Sequence, residues 1–344
     1  MSVDIEANHG RAPLLNRLPG EPVPYYLASG EGHRVERDGQ LWTIIARAGD
    51  AGGLFDAAYV LGPRGAGAEA HSVPYQRTYV VFDGRVLVQL PGESRVLAPG
   101  DSVTVPAGVP VAYRLLGHLT RLLFWSAPGG ALDALAASGP IRSHLYGADA
   151  AASLGVPLLT GVEAAASDWT DPRDPDDDTL PAGVEPFFLR RHGGDRIEWP
   201  DAVNAFAARG RNTGWRYIMV NTLAAPQPYI IRHFHSLHTE NFFCLSGRVW
   251  LWVNGQEVLL TPGDFVHAPA GTIHSFAIAA HNTTMLGLLA NDVFEPFFDV
   301  TGIATEAFVH TEGKLDAGVV MSGMRANPDL DVTVVGPPPK TDRF

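Results

Sequence analysis

The sequence predicts an all-β protein built from two copies of one barrel or sandwich domain. Two observations predict this fold class: short β-rich runs recur along the chain, and the two halves of the chain repeat one another. The runs include residues 77–82, 85–90 and 248–253, which either alternate or are apolar throughout and end near Gly, Pro or Asp. Runs of this kind, bounded by turn residues, are typical of strands.

The internal repeat is carried by two pairs of segments. Residues 24–36 and 186–198 share Pro, an aromatic pair, Leu, Gly, Arg and Glu in one order, at an offset of 162 (186 − 24). Residues 97–108 and 260–271 share Leu, Pro-Gly-Asp, Val and Pro-Ala-Gly at an offset of 163 (260 − 97). This period is far longer than a solenoid repeat, so each copy is expected to be a domain.

The repeat divides the chain into three parts. We expect an amino-terminal barrel over residues 1–160, an acidic linker over 161–184 and a carboxy-terminal barrel over 185–344. The linker is expected to be a solvated loop because its centre, Asp171–Thr179, is acidic and interrupted by Pro. Residues after about 313 are expected to lie over the surface or against a partner subunit.

Local signals predict a few further elements. The pair Asn254-Gly255 predicts a two-residue hairpin between two apolar runs. Residues 130–137 and 293–299 have apolar side chains at helical spacing and predict short helices across the barrel mouths. Phe294 and Phe298 of the second helix are expected to pack there, where they can also reach a substrate.

Composition and charge exclude several classes of function. The chain has 344 residues, 46% hydrophobic and 18% charged, which fits a well-cored globular protein. Its net charge of −12 repels nucleic acid and anionic membrane surfaces, and no apolar run approaches the ~20 residues of a membrane span. The amino terminus has no signal-peptide pattern, and the single cysteine, Cys244, excludes an intrachain disulfide. We therefore expect a soluble, cytoplasmic protein.

A cluster of histidines in the second half carries the chemistry. His233 and His235 are two residues apart, so on a strand they point to the same face. Glu240 can add an anionic oxygen and His274 a third imidazole. Three imidazoles and one carboxylate suit Fe, Mn, Co, Ni, Cu or Zn better than Ca or Mg.

The spacing of these residues resembles the paired motifs of the cupin superfamily. The first motif is formed by His233, His235, Glu240 and Gly247, and the second by Gly263, Pro269, Gly271 and His274. The resemblance implies a bicupin, with two double-stranded β-helix (jelly-roll) barrels and short helices. It also implies that His233, His235, Glu240 and His274 bind one divalent transition metal per chain inside the second barrel.

The first half of the chain lacks these ligands. At an offset of 163, the four metal-binding positions correspond to Ala70, Ser72, Arg77 and Val111. His71 falls between the first two positions and is expected to point to the opposite face of its strand. The turn residues are retained, so we expect the first barrel to fold without binding a metal and to serve a structural or dimer-forming role.

Aromatic side chains surround the motif and predict an apolar substrate pocket. The pocket residues expected from the sequence are Phe234, His238, Phe242, Trp250, Trp252 and Phe276. His238 is close enough to the motif to bond to substrate or to act as an acid or base, whereas His267 is expected to be structural.

The bicupin layout, the aromatic segment Pro24–Gly32 and the three-His-one-Glu set together resemble the quercetin 2,3-dioxygenases. That resemblance implies O2-dependent ring cleavage of a flavonol or a related aromatic enol, with Glu240 accepting the proton of the substrate hydroxyl.

The same ligands would also suit a non-oxidative metal enzyme, such as an isomerase, a cyclase or a decarboxylase. A binding protein without turnover is the third possibility. The expected partners are a small aromatic substrate and O2, with no nucleic acid and no membrane, and pairing of barrel edges would give a homodimer.

Overall fold

A computed structural model describes residues 11–138, 163–165, 170–172, 179–316 and 318–340. Strands dominate these residues. In the first half they are β1 (Tyr25–Leu27), β2 (His33–Arg37), β3 (Gln40–Ala46), β4 (Asp56–Pro63), β5 (Gly67–Ser72), β6 (Gln76–Asp83), β7 (Val86–Leu90), β8 (Glu93–Leu97), β9 (Ser102–Val105), β10 (Val111–Leu115), β11 (Leu119–Ala127) and β12 (Glu163–Ala164). In the second half they are β13 (Phe187–Leu189), β14 (Arg196–Trp199), β15 (Ala202–Ala208), β16 (Tyr217–Ala224), β17 (Arg232–Phe234), β18 (Thr239–Ser246), β19 (Val249–Val253), β20 (Gln256–Leu260), β21 (Phe265–Ala268), β22 (His274–Ile278), β23 (Thr283–Ala290), β24 (Ile303–Ala304) and β25 (Thr333–Gly336). The helices are α1 (Asp133–Ala137), α2 (Gly210–Thr213), α3 (Glu295–Thr301) and α4 (Gly318–Ala326).

The chain forms two compact units. Of the described residues, those within 30–191 and 211–213 form the amino-terminal barrel, and those within 1–29, 192–210 and 214–344 form the carboxy-terminal barrel. Each unit is built from two antiparallel sheets, as predicted for an all-β bicupin. The acidic core of the expected linker, residues 173–178, lies outside the described residues.

Each barrel encloses a hydrophobic core between its two sheets. In the amino-terminal barrel the sheets run β13-β9-β6-β11-β4-β3-β2 and β12-β5-β10-β7-β8, and both contribute to a core that includes Val81 and Val88. In the carboxy-terminal barrel they run β1-β21-β18-β23-β16-β15-β14-β24 and β20-β19-β22-β17-β25. Its core includes Phe242 of one sheet and Leu251 of the other.

The register of the strands reproduces the internal repeat. Glu240 of β18 stands opposite Ala268, and Arg77 of β6 stands opposite Val105, so both partners are shifted by 163 residues. The same offset relates the bounds of β6 to β10 to those of β18 to β22. The two units are therefore copies of one domain at the level of individual strand pairs.

The edge strands of the two units come from unexpected parts of the chain. β1 pairs with β21 and belongs to the carboxy-terminal barrel, whereas β13 pairs with β9 and belongs to the amino-terminal barrel. The expected division assigned residues 1–160 to one domain, but residues 11–29 belong to the carboxy-terminal unit. Because the two segments are copies of each other, either could pair with either open sheet edge, and the sequence does not specify which.

The turn and helix predictions agree with the structure. Val253 pairs with Gln256, so Asn254 and Gly255 form a two-residue hairpin, and both have positive φ (46° and 94°). α1 and α3 overlap the two predicted helical segments. No helix in the described ranges is long and apolar enough to span a membrane.

Residues 318–340 lie at the surface, as expected for the region after residue 313, but they also form regular structure. They form α4 and then β25, which pairs with β17 beside His233. The backbone of β25 joins the sheet that carries part of the histidine cluster. We name residues 318–340 the carboxy-terminal segment.

Candidate active site

The four predicted ligands lie on, or directly beside, three strands of the carboxy-terminal barrel. His233 lies on β17, directly opposite His274 at the start of β22. His235 follows β17, and Glu240 lies near the start of β18. The ring centroids of His233 and His274 are 4.4 Å apart, and those of His235 and His274 are 5.2 Å apart. The fold therefore brings together residues that are 41 positions apart in sequence (274 − 233).

Glu240 lies at the centre of the imidazoles. Its Oε2 is 2.8 Å from His274 Nε2, and its Oε1 is 3.6 Å from His235 Nε2. The side chains are buried, with His235 3%, His274 2% and Glu240 9% exposed. A buried carboxylate and several imidazoles converge on one small volume.

Backbone carbonyls fix the orientation of three imidazoles. The Nδ1 atoms of His233 and His274 lie 3.0 Å from the carbonyl oxygens of Ile231 and Thr272, and His235 Nδ1 lies 2.5 Å from the carbonyl oxygen of Asp331. A carbonyl only accepts hydrogen bonds, so each Nδ1 carries the proton and each Nε2 presents a lone pair.

These lone pairs provide the test for a metal. The Nε2 atoms of His235 and His274 are buried without a hydrogen-bond partner in the described chain. The 2.8 Å approach of His274 Nε2 to Glu240 Oε2 is one acceptor facing another, which repels unless a cation lies between them. The groups His233-His235-His274 and His235-His238-Glu240 each have ligand atoms within 4.8 Å of one another. The residues present fit a divalent transition metal.

Burial sets the protonation state that such a metal requires. Burial lowers the pKa of His233 to about 4 and the pKa of His235 well below its usual value. Burial alone would raise the pKa of Glu240, but the imidazoles, His235 foremost, hold that pKa well below its usual range. At neutral pH His233 and His235 are therefore neutral imidazoles and Glu240 is an ionised carboxylate, the forms that bind metal.

His238 is a fourth imidazole in this cluster. Its Nε2 lies 3.7 Å from Glu240 Oε1 and has no hydrogen-bond partner in the described chain, and its Nδ1 lies 2.7 Å from Asp331 Oδ2. Burial disfavours the charged ring, but the hydrogen bond to Asp331 raises the pKa of His238 overall. The sequence suggested His238 as a pocket residue, and the structure places it among the ligand atoms.

An apolar cavity of about 360 Å³ opens onto the cluster. His233 and Glu240 lie in its wall, together with the predicted residues Phe242 and Phe276. Phe294 connects the two regions, because its ring lies 4.6 Å from both His235 and His238 and also lines the cavity. The volume is that of a site for a small organic molecule.

The other three predicted pocket residues lie elsewhere. Trp250 and Trp252 alternate with the core residues Val249, Leu251 and Val253 on β19, so they face away from the barrel interior. They pack in a separate cluster that also contains Phe234, and none of the three lines the cavity. Every residue from Val249 to Val253 is apolar, so the sequence does not show which of these side chains point into the barrel.

Comparisons with known proteins agree with this geometry. The family model described as "Cupin domain" matches residues 58–125 and 222–289. A quercetin 2,3-dioxygenase from Bacillus subtilis (strain 168) is 33% identical over 312 residues, which cover 85% of this chain and 90% of the relative. The chain is a bicupin of the quercetin 2,3-dioxygenase family.

Other similar proteins share a lower sequence identity with this bicupin than the Bacillus subtilis quercetin 2,3-dioxygenase does. A quercetin 2,3-dioxygenase from Aspergillus japonicus is 28% identical over 38% of this chain and 40% of its own. Among solved structures, the E. coli protein Ylba has a TM-score of 0.54 at 10% identity, covering 83% of this chain and 95% of that one. Oxalate decarboxylase from Bacillus subtilis has a TM-score of 0.53 at 14% identity, covering 83% and 78%. These two structures show the shared fold.

The first barrel of the bicupin keeps one imidazole at the ligand position. The register of β5 shifts, so His71 stands opposite Val111 as His233 stands opposite His274. His71 therefore faces the interior, contrary to the simple alternation expected from the sequence, and its Nδ1 bonds the carbonyl of Glu69 just as His233 bonds that of Ile231. Arg77, fully buried, takes the place of Glu240, and the described part of this barrel contains no group of three metal-binding side chains.

Trp199, Met321 and Met324 also line the cavity and were not anticipated, whereas Phe298 was expected to reach a substrate. Trp199 and Phe298 stack with ring centroids 5.2 Å apart and form one wall. Met321 and Met324 of α4 contribute to the lining as well. Phe298 lies in a segment with a recognisable helical pattern, but the short sequence around α4 gave no comparable signal.

Proposed function

We propose that the protein is a metal-dependent dioxygenase of the quercetinase type. It would use O2 to open the ring of a flavonol or a related aromatic enol. One divalent transition metal per chain (Fe, Mn, Co, Ni or Cu) would be held by His233, His235, Glu240 and His274. The first barrel would hold none.

One observation carries this proposal: the ligand cluster and the apolar cavity share two residues. His233 and Glu240 belong to both, so a molecule in the cavity reaches the ligand atoms directly. Aromatic walls such as Trp199 and Phe298 offer flat surfaces to a planar ring. The sequence identity of 33% to a quercetin 2,3-dioxygenase, over 85% of this chain, supports the same assignment.

The protein side chains have separate tasks in this reaction. A bound metal would supply the positive charge that lowers the pKa of a substrate hydroxyl. Glu240, ionised and at the cavity wall, is placed to accept the proton that the hydroxyl loses. The apolar lining keeps water away from the resulting organic anion, which strengthens electrostatic interactions around it.

The charge of the cavity favours an aromatic enol over a small dicarboxylate. None of the described residues that line the cavity is Lys or Arg, so a dianion would be buried among them without a counter-charge other than the metal. A decarboxylase acting on such a substrate is therefore disfavoured. An isomerase or cyclase acting on an aromatic enol would need the same cavity. It would differ from a dioxygenase in consuming no O2.

The test combines metal loading with oxygen uptake. Metal-free protein, prepared with a chelator, is loaded in turn with Fe²⁺, Mn²⁺, Co²⁺, Ni²⁺ and Cu²⁺, and O2 consumption is recorded with a panel of flavonols. The matching flavone, which lacks the 3-hydroxyl, is the control substrate. We expect uptake with the flavonol and none with the flavone. Conversion of an enol without O2 uptake would replace the proposal with an isomerase or cyclase.

A further inference from the structure

Asp331 of the carboxy-terminal segment makes several hydrogen bonds with residues 236–238, the loop between His235 and β18. Its Oδ1 accepts a hydrogen bond from the backbone N–H of Ser236 (2.8 Å), and its Oδ2 accepts from the N–H groups of Leu237 (3.0 Å) and His238 (3.2 Å). The same Oδ2 lies 2.7 Å from His238 Nδ1. The Asp331 side chain is only 7% exposed.

The backbone of Asp331 acts on a second imidazole. Its carbonyl oxygen accepts the hydrogen bond of His235 Nδ1. Asp331 thus accepts hydrogen bonds from the Nδ1 atoms of both His235 and His238, and it also binds the backbone between these two residues. Both rings are left with Nε2 directed at Glu240, 3.6 Å and 3.7 Å from its Oε1.

We propose that Asp331 is a positioning residue of the metal centre. Through its carboxylate it orients His238 and shapes the loop 236–238, and through its carbonyl it orients His235. A group that accepts the Nδ1–H of a ligating imidazole fixes the ring and raises its basicity toward a metal. The carboxy-terminal segment is then part of the metal site, and its docking completes the site.

Other contacts of the segment support this role. β25 pairs with β17 so that Val334 stands opposite His233, and Arg232 Nε donates to the carbonyl oxygen of Pro337 (2.8 Å). The segment also supplies cavity lining, namely Val320, Met321, Met324, Val332 and Pro338. The carboxy-terminal segment therefore both contacts His235 and the strand that carries His233, and lines the cavity. This inference depends on the metal centre of the proposed function but not on its dioxygenase chemistry.

The test measures binding of Co²⁺ alone, without substrate. Wild type, Asp331→Ala, Asp331→Asn and Asp331→Glu are compared by chelator competition and by the visible absorption of bound Co²⁺. We expect Asp331→Ala to weaken Co²⁺ binding by roughly 10- to 100-fold and to change the spectrum. Asp331→Asn keeps one accepting oxygen and is expected to lose less, and Asp331→Glu is expected to restore part of the affinity. Asp329→Asn, an exposed change in the same segment, is the matched control and should bind as wild type does.

The outcomes separate this inference from the proposed function. Wild type that binds no Co²⁺ would remove the metal centre and the proposed function together with the inference. Wild type that binds Co²⁺ while all three Asp331 variants keep its affinity and spectrum would overturn the positioning role alone. Thermal unfolding of the metal-free proteins is the second measurement. A purely structural role, which also contradicts the inference, would lower the melting temperature of Asp331→Asn and leave Co²⁺ binding unchanged.

Discussion

Glu240 and the imidazoles around it divide the work of the site at the scale of single residues. The rings of His233, His235 and His274 are suited to holding a metal through Nε2, since their Nδ1 atoms are engaged by carbonyl oxygens. Glu240 is the carboxylate among them and also reaches the cavity. Removing a ring and neutralising the carboxylate should therefore have different effects.

We predict that His233→Ala and His274→Ala abolish both metal binding and turnover while the barrel stays folded. Neither substitution removes one of the apolar side chains that fill the barrel core, so we expect the core to be retained in both variants. Glu240→Gln is expected to keep the metal and to lose turnover by roughly 100-fold or more, since the amide cannot accept a proton. Elemental analysis, circular dichroism and O2 uptake measure the three properties. Full activity in Glu240→Gln would remove its role as the base.

His267 gives a prediction about pH. It is fully buried, with its Nδ1 2.8 Å from Asn241 Oδ1, and burial lowers its pKa to about 3. Its pKa in the unfolded chain is near 6.5, so between pH 6.5 and 3 the unfolded state binds more protons than the folded state. The contribution of His267 to stability is therefore complete above pH 6.5 and decreases as the pH falls, by about 1.4 kcal/mol per pH unit.

His267→Gln removes this titration and keeps an amide for Asn241. Urea unfolding of the metal-free protein should show that the variant loses less stability than wild type between pH 6.5 and 4.5, by roughly 2 to 3 kcal/mol. His281→Gln, at a side chain that is 75% exposed, is the control and should follow wild type. Equal pH slopes for wild type and His267→Gln would contradict the account of His267.

The hairpin between β19 and β20 illustrates how local sequence determines an element. Its two turn residues both have positive φ, a conformation that Gly adopts at little cost and other residues avoid. We predict that Gly255→Ala destabilises the protein by about 1 to 2 kcal/mol, because alanine is strained at φ 94°. Gly183→Ala, where φ is not positive and an added Cβ meets nothing within 4 Å, should be neutral in the same urea titration. Equal stability of the two variants would refute the turn assignment.

Sequence determined some elements and left others open, for physical reasons. The two-residue spacing predicted that His233 and His235 share one site, and the structure brings their ligand atoms together although β17 ends at Phe234, and the hairpin follows from Asn254-Gly255. The pairing of β1 with β21 and of β13 with β9 could not be predicted, because β1 and β13 have the same sequence pattern and either could pair with either sheet edge. The regular structure of the carboxy-terminal segment also escaped prediction, since α4 exposes most of its surface and β25 gains its place by pairing with β17. Asp331 could be recognised only once the fold had brought it to the loop, 93 residues from His238.

The whole molecule combines two copies of a barrel that have diverged at the metal-binding positions. The amino-terminal copy retains its turns, its core and one inward imidazole, His71, but has Arg77 where the other has Glu240. A guanidinium repels a divalent cation, and Val111 offers no ligand in place of His274. The molecule is therefore expected to hold metal in one barrel only.

The most direct test of this account is the metal content of the purified protein, measured by elemental analysis together with O2 uptake on a flavonol. We predict about one transition metal per chain, its loss in His233→Ala, and O2 consumption that follows the metal content. Two metals per chain, or a full complement retained by His233→Ala, would contradict the assignment of the site to the second barrel.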